Sequence, residues 1–224
     1  MEAKQLKMVA RFGLVILIFA AILFVSAGTI YWPEAWLMEL IYFGWAIPVM
    51  VWLRKNNPKL FEERMDITKK SGKGWERALL LFATVCYLGI FLVSGLDFRF
   101  GLSGMPLYLE ATGFAGIVLA FSAMFWVMRE NTYLSRVVEV REGQKVVTTG
   151  PYKYVRHPLY VAGIVYCFAI PLSLGSFYGI IPALGMVAIF LVRTYMEDKT
   201  LHVELPGYKE YAQKTRYKLV PGVW

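Results

Sequence analysis

Residues Leu159–Val192 form a stretch of 34 positions without one Asp, Glu, Lys or Arg. A bilayer core takes roughly 20 helical residues, so the run is too long for one crossing and too apolar to leave the membrane. It breaks at "SLGS", Ser173–Ser176, which predicts two short helices in a hairpin. Four further charge-poor runs precede it, at about Phe12–Tyr31, Ala35–Leu53, Ala78–Leu96 and Leu107–Met128. Glu39 and Glu110 fall near the ends of theirs. The expected fold class is therefore an all-α integral membrane protein of about six transmembrane helices. Its hairpin should be flanked by a cytoplasmic loop and a tail helix. With 58% apolar residues against the 45–50% usual for a soluble domain, the composition agrees.

The basic residues orient this fold. Of 24 Lys and Arg, 23 fall in the N-terminal segment, the loop Arg54–Arg77, the segment Arg129–Arg156 or the tail from Arg193. The exception is Arg99 in the third connection. Cations concentrate on the cytoplasmic side, so both termini are expected there. The net charge of +8 is then read as orientation and headgroup contact, not as nucleic-acid binding. The first apolar run has too long a core for a cleavable signal and is read as a retained helix, as would suit a prokaryotic inner membrane. Cys86 and Cys167 both lie in expected spans and are read as packing residues, with no metal site and no disulfide framework.

Two units follow. Residues 1–128 hold four helices with the basic loop 54–77, which reads as a bland connector resting on headgroups. Residues 129–224 hold a cytoplasmic loop, the hairpin 158–193 and the tail. The chemistry-bearing residues gather in this second unit. Val137–Val147 has alternating character, followed by the turn signal Thr-Thr-Gly-Pro. Pro158 suits the first turn of a helix, where its missing N–H costs nothing, and His157 would be the cap. A helix end there presents free N–H groups to an anion. Beyond the hairpin, Arg193 and Glu197 are four apart and share a helix face. Pro206-Gly207 interrupts that helix, and Tyr208 and Tyr211 follow at helical spacing.

Singly, Arg156 and His157 could be snorkelling to headgroups, and Arg193 with Glu197 could be a plain helix salt bridge. Together they meet at one membrane face, with turn backbone and tyrosines between. Ionisable groups at membrane depth point to function. The residues alone imply a cytoplasm-facing pocket for a polar, zwitterionic ligand, open sideways to lipid. No G-x-G-x-x-G follows a strand, and "GKGWE" at Gly72–Glu76 is not a phosphate loop.

The strings "GPYKYVRHPLYVAG", "RTYMEDKTL" and "LPGYKEYAQKTRYKLVPGVW" resemble the isoprenylcysteine carboxyl methyltransferase family and the related phospholipid N-methyltransferases. The likeness spans roughly residues 131–224. It implies S-adenosylmethionine as cofactor and S-adenosylhomocysteine as product. It further implies cofactor contacts from Tyr152, His157, Pro158, Leu159, Tyr160 and Glu197. The loop residues Gln144, Lys145, Val146 and Val147, with Glu139, would add to these. Arg193 would orient the acceptor, with Arg156 beside it, and Arg193, His157 and Glu197 would serve the chemistry. The family commonly carries two glutamates where this chain has Glu197-Asp198. The acceptor would be lipid-like, either a prenylcysteine carboxylate or a phospholipid amine, with no obligate protein partner. The alternative is a nicotinamide-dependent reductase of the sterol reductase type. Those enzymes tend to carry an asparagine before the tyrosine, where this chain has Leu159.

Overall fold

The computed structural model describes residues 3–65 and 73–224, the side chains of 3–9, 11, 12, 15 and 16 excepted. Cations expected on Lys4, Lys7, Arg11, Lys69 and Lys70 therefore lie outside the described side chains. Among the described residues eight α-helices run in order: α1 (Ala3–Ala27), α2 (Pro33–Asn56), α3 (Pro58–Met65), α4 (Gly74–Phe100), α5 (Leu107–Glu130), α6 (Pro158–Ser173), α7 (Ile180–Glu204) and α8 (Tyr208–Lys214). A 3₁₀ turn covers Gly150–Lys153. Among the described residues there is no strand.

Among the described residues four helices, α2, α4, α5 and α7, are long and apolar enough to cross a membrane. The apolar part of α1 (Leu17–Ala27) and the 16-residue α6 are shorter. The chain is an all-α integral membrane protein, as the hydropathy runs predict. The long charge-free run does split at "SLGS": α6 stops at Ser173 and α7 starts at Ile180.

One apolar core unites the helices that build the bundle. Leu23 (α1), Met38 (α2), Ile90 (α4), Ile117 (α5), Ile170 (α6) and Met186 (α7) all belong to it. The outer faces stay apolar and exposed, as with Leu40, Leu81, Leu119 and Leu184, because lipid is their solvent. Where hydrophobic burial gives no drive, small residues let backbones approach. Gly113 of α5 shows this: a Cβ there would sit 2.3 Å from the Ser173 backbone nitrogen of α6.

At the bundle end away from the loop, Asp97 of α4 is 2% exposed. Ser103 donates to its Oδ2 at 2.6 Å, and Ser176 of the hairpin turn donates to the same atom at 2.5 Å. The turn is thereby tied to α4. At the opposite end, the segment after α2, expected as a short amphipathic connector, carries the short helix α3. Its Leu60, Phe61 and Met65 are buried with Leu53 and Met128.

Candidate functional site

The site is assembled around two adjacent side chains of α7, Glu197 and Asp198. The helix points them to different surroundings. Asp198 is buried, at 5% exposure. Its Oδ1 accepts from Arg156 Nε at 2.8 Å and from the Tyr208 hydroxyl at 2.9 Å, and faces His157 Nε2 at 3.2 Å. Its Oδ2 accepts from Arg156 Nη2 at 3.0 Å. This forked carboxylate–guanidinium pair is geometrically specific. Arg156 Nη1 donates onward to the carbonyls of Thr215 (2.9 Å) and Arg216 (2.7 Å) in the tail. Burial works against the Arg156 charge, but the hydrogen bonds and attraction from Asp198 outweigh it and hold its pKa above the ordinary value. Arg156, expected as an acceptor contact, braces the site through these bonds and also lines the cavity described below. Four of its N–H bonds already hold protein oxygens.

The backbone repeats the tie. Arg156 N donates to Tyr217 O at 2.9 Å and His157 N to Lys218 O at 3.0 Å. The tail therefore lies across the entrance to α6. His157 is the residue preceding that helix and Pro158 its first residue. The 3₁₀ turn is locked by Tyr211, whose hydroxyl donates to Tyr152 O at 2.8 Å. Asn131, at the end of α5, donates to the Tyr152 hydroxyl at 2.7 Å. Burial pushes the pKa of the Tyr211 phenol up to about 12, so it stays a neutral donor at physiological pH.

Glu197 faces the opening instead, with its side chain 24% exposed. Tyr160 donates its hydroxyl to Glu197 Oε2. His157 Nδ1 lies 3.8 Å from Glu197 Oε1. The His157 and Tyr160 rings stack at 5.8 Å, nearly parallel at 6°. The Arg193 guanidinium also stands over the Tyr160 ring, 5.8 Å from its centre. Arg193, Tyr160, Glu197, His157, Asp198 and Arg156 are thus linked through successive pairwise contacts.

The i,i+4 spacing does put Arg193 and Glu197 on one face, but Arg193 does not simply bridge along its helix. Its Nη2 donates to Glu76 Oε1 and to Arg136 O, each at 2.7 Å. Glu76, in the first turn of α4, has 0% exposure. Both its oxygens also accept from Val138 N, at 2.9 and 3.0 Å. One buried carboxylate thus joins α4, α7 and the loop after α5.

That segment is a loop, as expected for the piece between α5 and the hairpin. Residues 131–149 wind as coil, with a turn at Arg141–Gln144. Tucked over the helix ends, the loop closes a cavity of about 280 Å³. All thirteen residues singled out from the sequence line it: Glu139, Gln144, Lys145, Val146, Val147, Tyr152, Arg156, His157, Pro158, Leu159, Tyr160, Arg193 and Glu197. Two of these have side chains already engaged. Glu139 accepts from Arg141 Nε at 3.1 Å, and Gln144 Oε1 accepts from Arg141 N at 3.0 Å.

Sequence reasoning missed Arg64 on α3, the stretch Tyr133–Val138 and Glu76 behind Arg193. The signal available was weak. Arg64 and Glu76 lie in the basic segment that looked like a connector, 60 or more residues from the strings that drew attention.

Membrane-length helices capped by a loop-covered polar cavity define an integral membrane protein with a candidate site at the bundle's basic end. A model of the phospholipid methyltransferase family matches residues 108–204. The cobalt-zinc-cadmium resistance protein CzcN of Cupriavidus metallidurans is 30% identical over 162 residues, 67% of this chain and 71% of that protein. The nickel-cobalt-cadmium resistance protein NccN of Alcaligenes xylosoxydans xylosoxydans is 30% identical over 112 residues, 48% of this chain and 47% of that protein. The chain belongs to the phospholipid methyltransferase family of membrane methyltransferases, which includes isoprenylcysteine carboxyl methyltransferase-like proteins.

Proposed function

We propose that the chain transfers a methyl group from S-adenosylmethionine to a lipid-like acceptor held in the membrane. The observation that carries this reading is the convergence of three separate stretches on one cavity: the loop 131–147, the start of α6 and the cytoplasmic part of α7. The donor set fits the cofactor. Glu197 is the available carboxylate for amino or hydroxyl donors. The N–H of Leu159 in the first turn of α6, with His157, suits a carboxylate. The faces of Tyr152 and Tyr160 suit a cation. When bound, the cofactor would supply an electrophilic methyl carbon on a positively charged sulfur.

The residues supply alignment more than acid–base chemistry. A carboxylate acceptor forms its ester as the carbon–sulfur bond breaks, with no proton to remove. A phospholipid amine must lose a proton, which His157 or Glu197 could accept directly or through water. Tyr160, hydrogen-bonded to Glu197 and flanked by Arg193, would hold the two halves of the cavity in register. In-line displacement depends on that positioning.

We further infer that the cavity faces the cytoplasm, as the basic residues around it suggest, in a prokaryotic inner membrane. The two relatives are named for resistance to divalent metals. We place any such link for this chain at the level of lipid modification. The test is calorimetric titration of S-adenosylhomocysteine into detergent-purified protein and into Glu197→Ala. Binding that the variant weakens about tenfold or more supports the reading. A folded, monodisperse sample that binds none overturns it.

A further inference from the structure

Resting on that methyltransferase reading, we propose that Arg64 forms an anion subsite in the cavity. It would hold a carboxylate or phosphodiester of the methyl acceptor and so select acceptors that carry one. Arg64 lies outside the family-matched residues 108–204 and outside every string that drew attention in the sequence.

Its placement is built rather than incidental. The helix α3 is anchored on one face by Leu60, Phe61 and Met65, all buried. One turn from Leu60 on that same face, Arg64 reaches the cavity lining, with Arg136 and Arg193. Burial first, then repulsion from Arg136 and Arg193, lowers the Arg64 pKa to about 10, so it keeps its charge at neutral pH.

The other arginines of the cavity are differently employed. Arg156 is spent on Asp198 and the tail carbonyls. Arg193 is matched by Glu76, yet its Nε is buried without a hydrogen-bond partner. A partly buried guanidinium beside two like charges is costly unless an anion joins it. Its planar fork suits the paired oxygens of a carboxylate or phosphodiester.

The cavity thus carries charges of both signs. Glu197 and His157 meet at Tyr160, where a cationic methyl donor is favoured. Arg64 joins the same lining from a separate helix, α3. An anion held at Arg64 would fix the acceptor in the cavity that takes the donor.

The test measures direct binding to full-length protein in detergent, comparing wild type, Arg64→Gln and Arg64→Lys. The probes are N-acetyl-S-farnesylcysteine, its carboxamide, and lysophosphatidylethanolamine. S-adenosylhomocysteine binding and thermal unfolding serve as integrity controls. The expected result is a loss of about tenfold or more in affinity for whichever anionic probe the wild type binds, as for a charge-assisted hydrogen bond. Arg64→Lys should recover part of it, and carboxamide and S-adenosylhomocysteine binding should stay within about twofold in Arg64→Gln. Preference of the wild type for the carboxylate or the phosphodiester then identifies the source of the anion. Equal losses for the carboxylate and its carboxamide overturn the subsite. So does a wild type that binds S-adenosylhomocysteine but neither anion. If anion binding depends on Arg64 while S-adenosylhomocysteine fails to bind, the subsite stands and the methyltransferase reading falls.

Discussion

Asp97 and Asp198 each collect hydrogen bonds at one end of the bundle, and they do so with opposite chemistry. Asp97 takes neutral serine hydroxyls from the third connection and from the hairpin turn. Asp198 takes a guanidinium fork, faces an imidazole and accepts from a phenol. The first cluster needs only to pin a turn. The second concentrates charge at the edge of the membrane and fixes the walls of a cavity. A hairpin can be closed with hydroxyls, so the charge at the other end calls for a functional explanation.

The largest stability effect should come from Asp198→Ala. It leaves the buried Arg156 charge uncompensated, at a cost of about 3–5 kcal/mol, and frees the tail. Thermal unfolding in detergent, with proteolysis of the C-terminal segment, would show it. Asp97→Ala should cost less, about 1–3 kcal/mol, because it leaves two hydroxyls without their shared acceptor. Its S-adenosylhomocysteine affinity should not change; a large change would break the contrast between the two ends. Tyr152→Phe removes the hydroxyl that Asn131 donates to and should cost about 0.5–1.5 kcal/mol. Glu197→Ala should have the smallest effect on unfolding, since its carboxylate is partly exposed. Its ligand binding should nevertheless fall, and that dissociation of stability from affinity would sharpen the comparison most.

Much of the architecture was legible in the sequence because lipid enforces a simple code. Run length gave the helices, "SLGS" gave the hairpin, and Pro158 and Pro206-Gly207 marked helix ends that the structure places at those residues. Gly207 adopts φ +82°, the left-handed region that its lack of a Cβ permits. The site was legible in part, through residues that the structure gathers around one cavity. What could not be read were partners set by tertiary contact. Arg193 finds Glu76 across 117 positions, and Asp198 gathers Arg156 and His157 from 42 and 41 positions away. Helical spacing pointed Arg193 toward Glu197, and a competing carboxylate on α4 captured it instead. The alternation at Val137–Val147 does not make a strand, and no neighbouring strand is present among the described residues to complete a ladder. The loop's amides go to side chains such as Glu76 and Gln144.

The strap formed by Tyr217 and Lys218 on Arg156 and His157 has a consequence for the order of events in the protein's birth. Residues 215–218 are synthesised after α1 to α8, yet they complete the mooring of the entrance to α6. A nascent chain with these helices already in place would still lack a finished site. Competence would arrive only when residues 215–218 have left the ribosome and folded back onto Arg156 and His157.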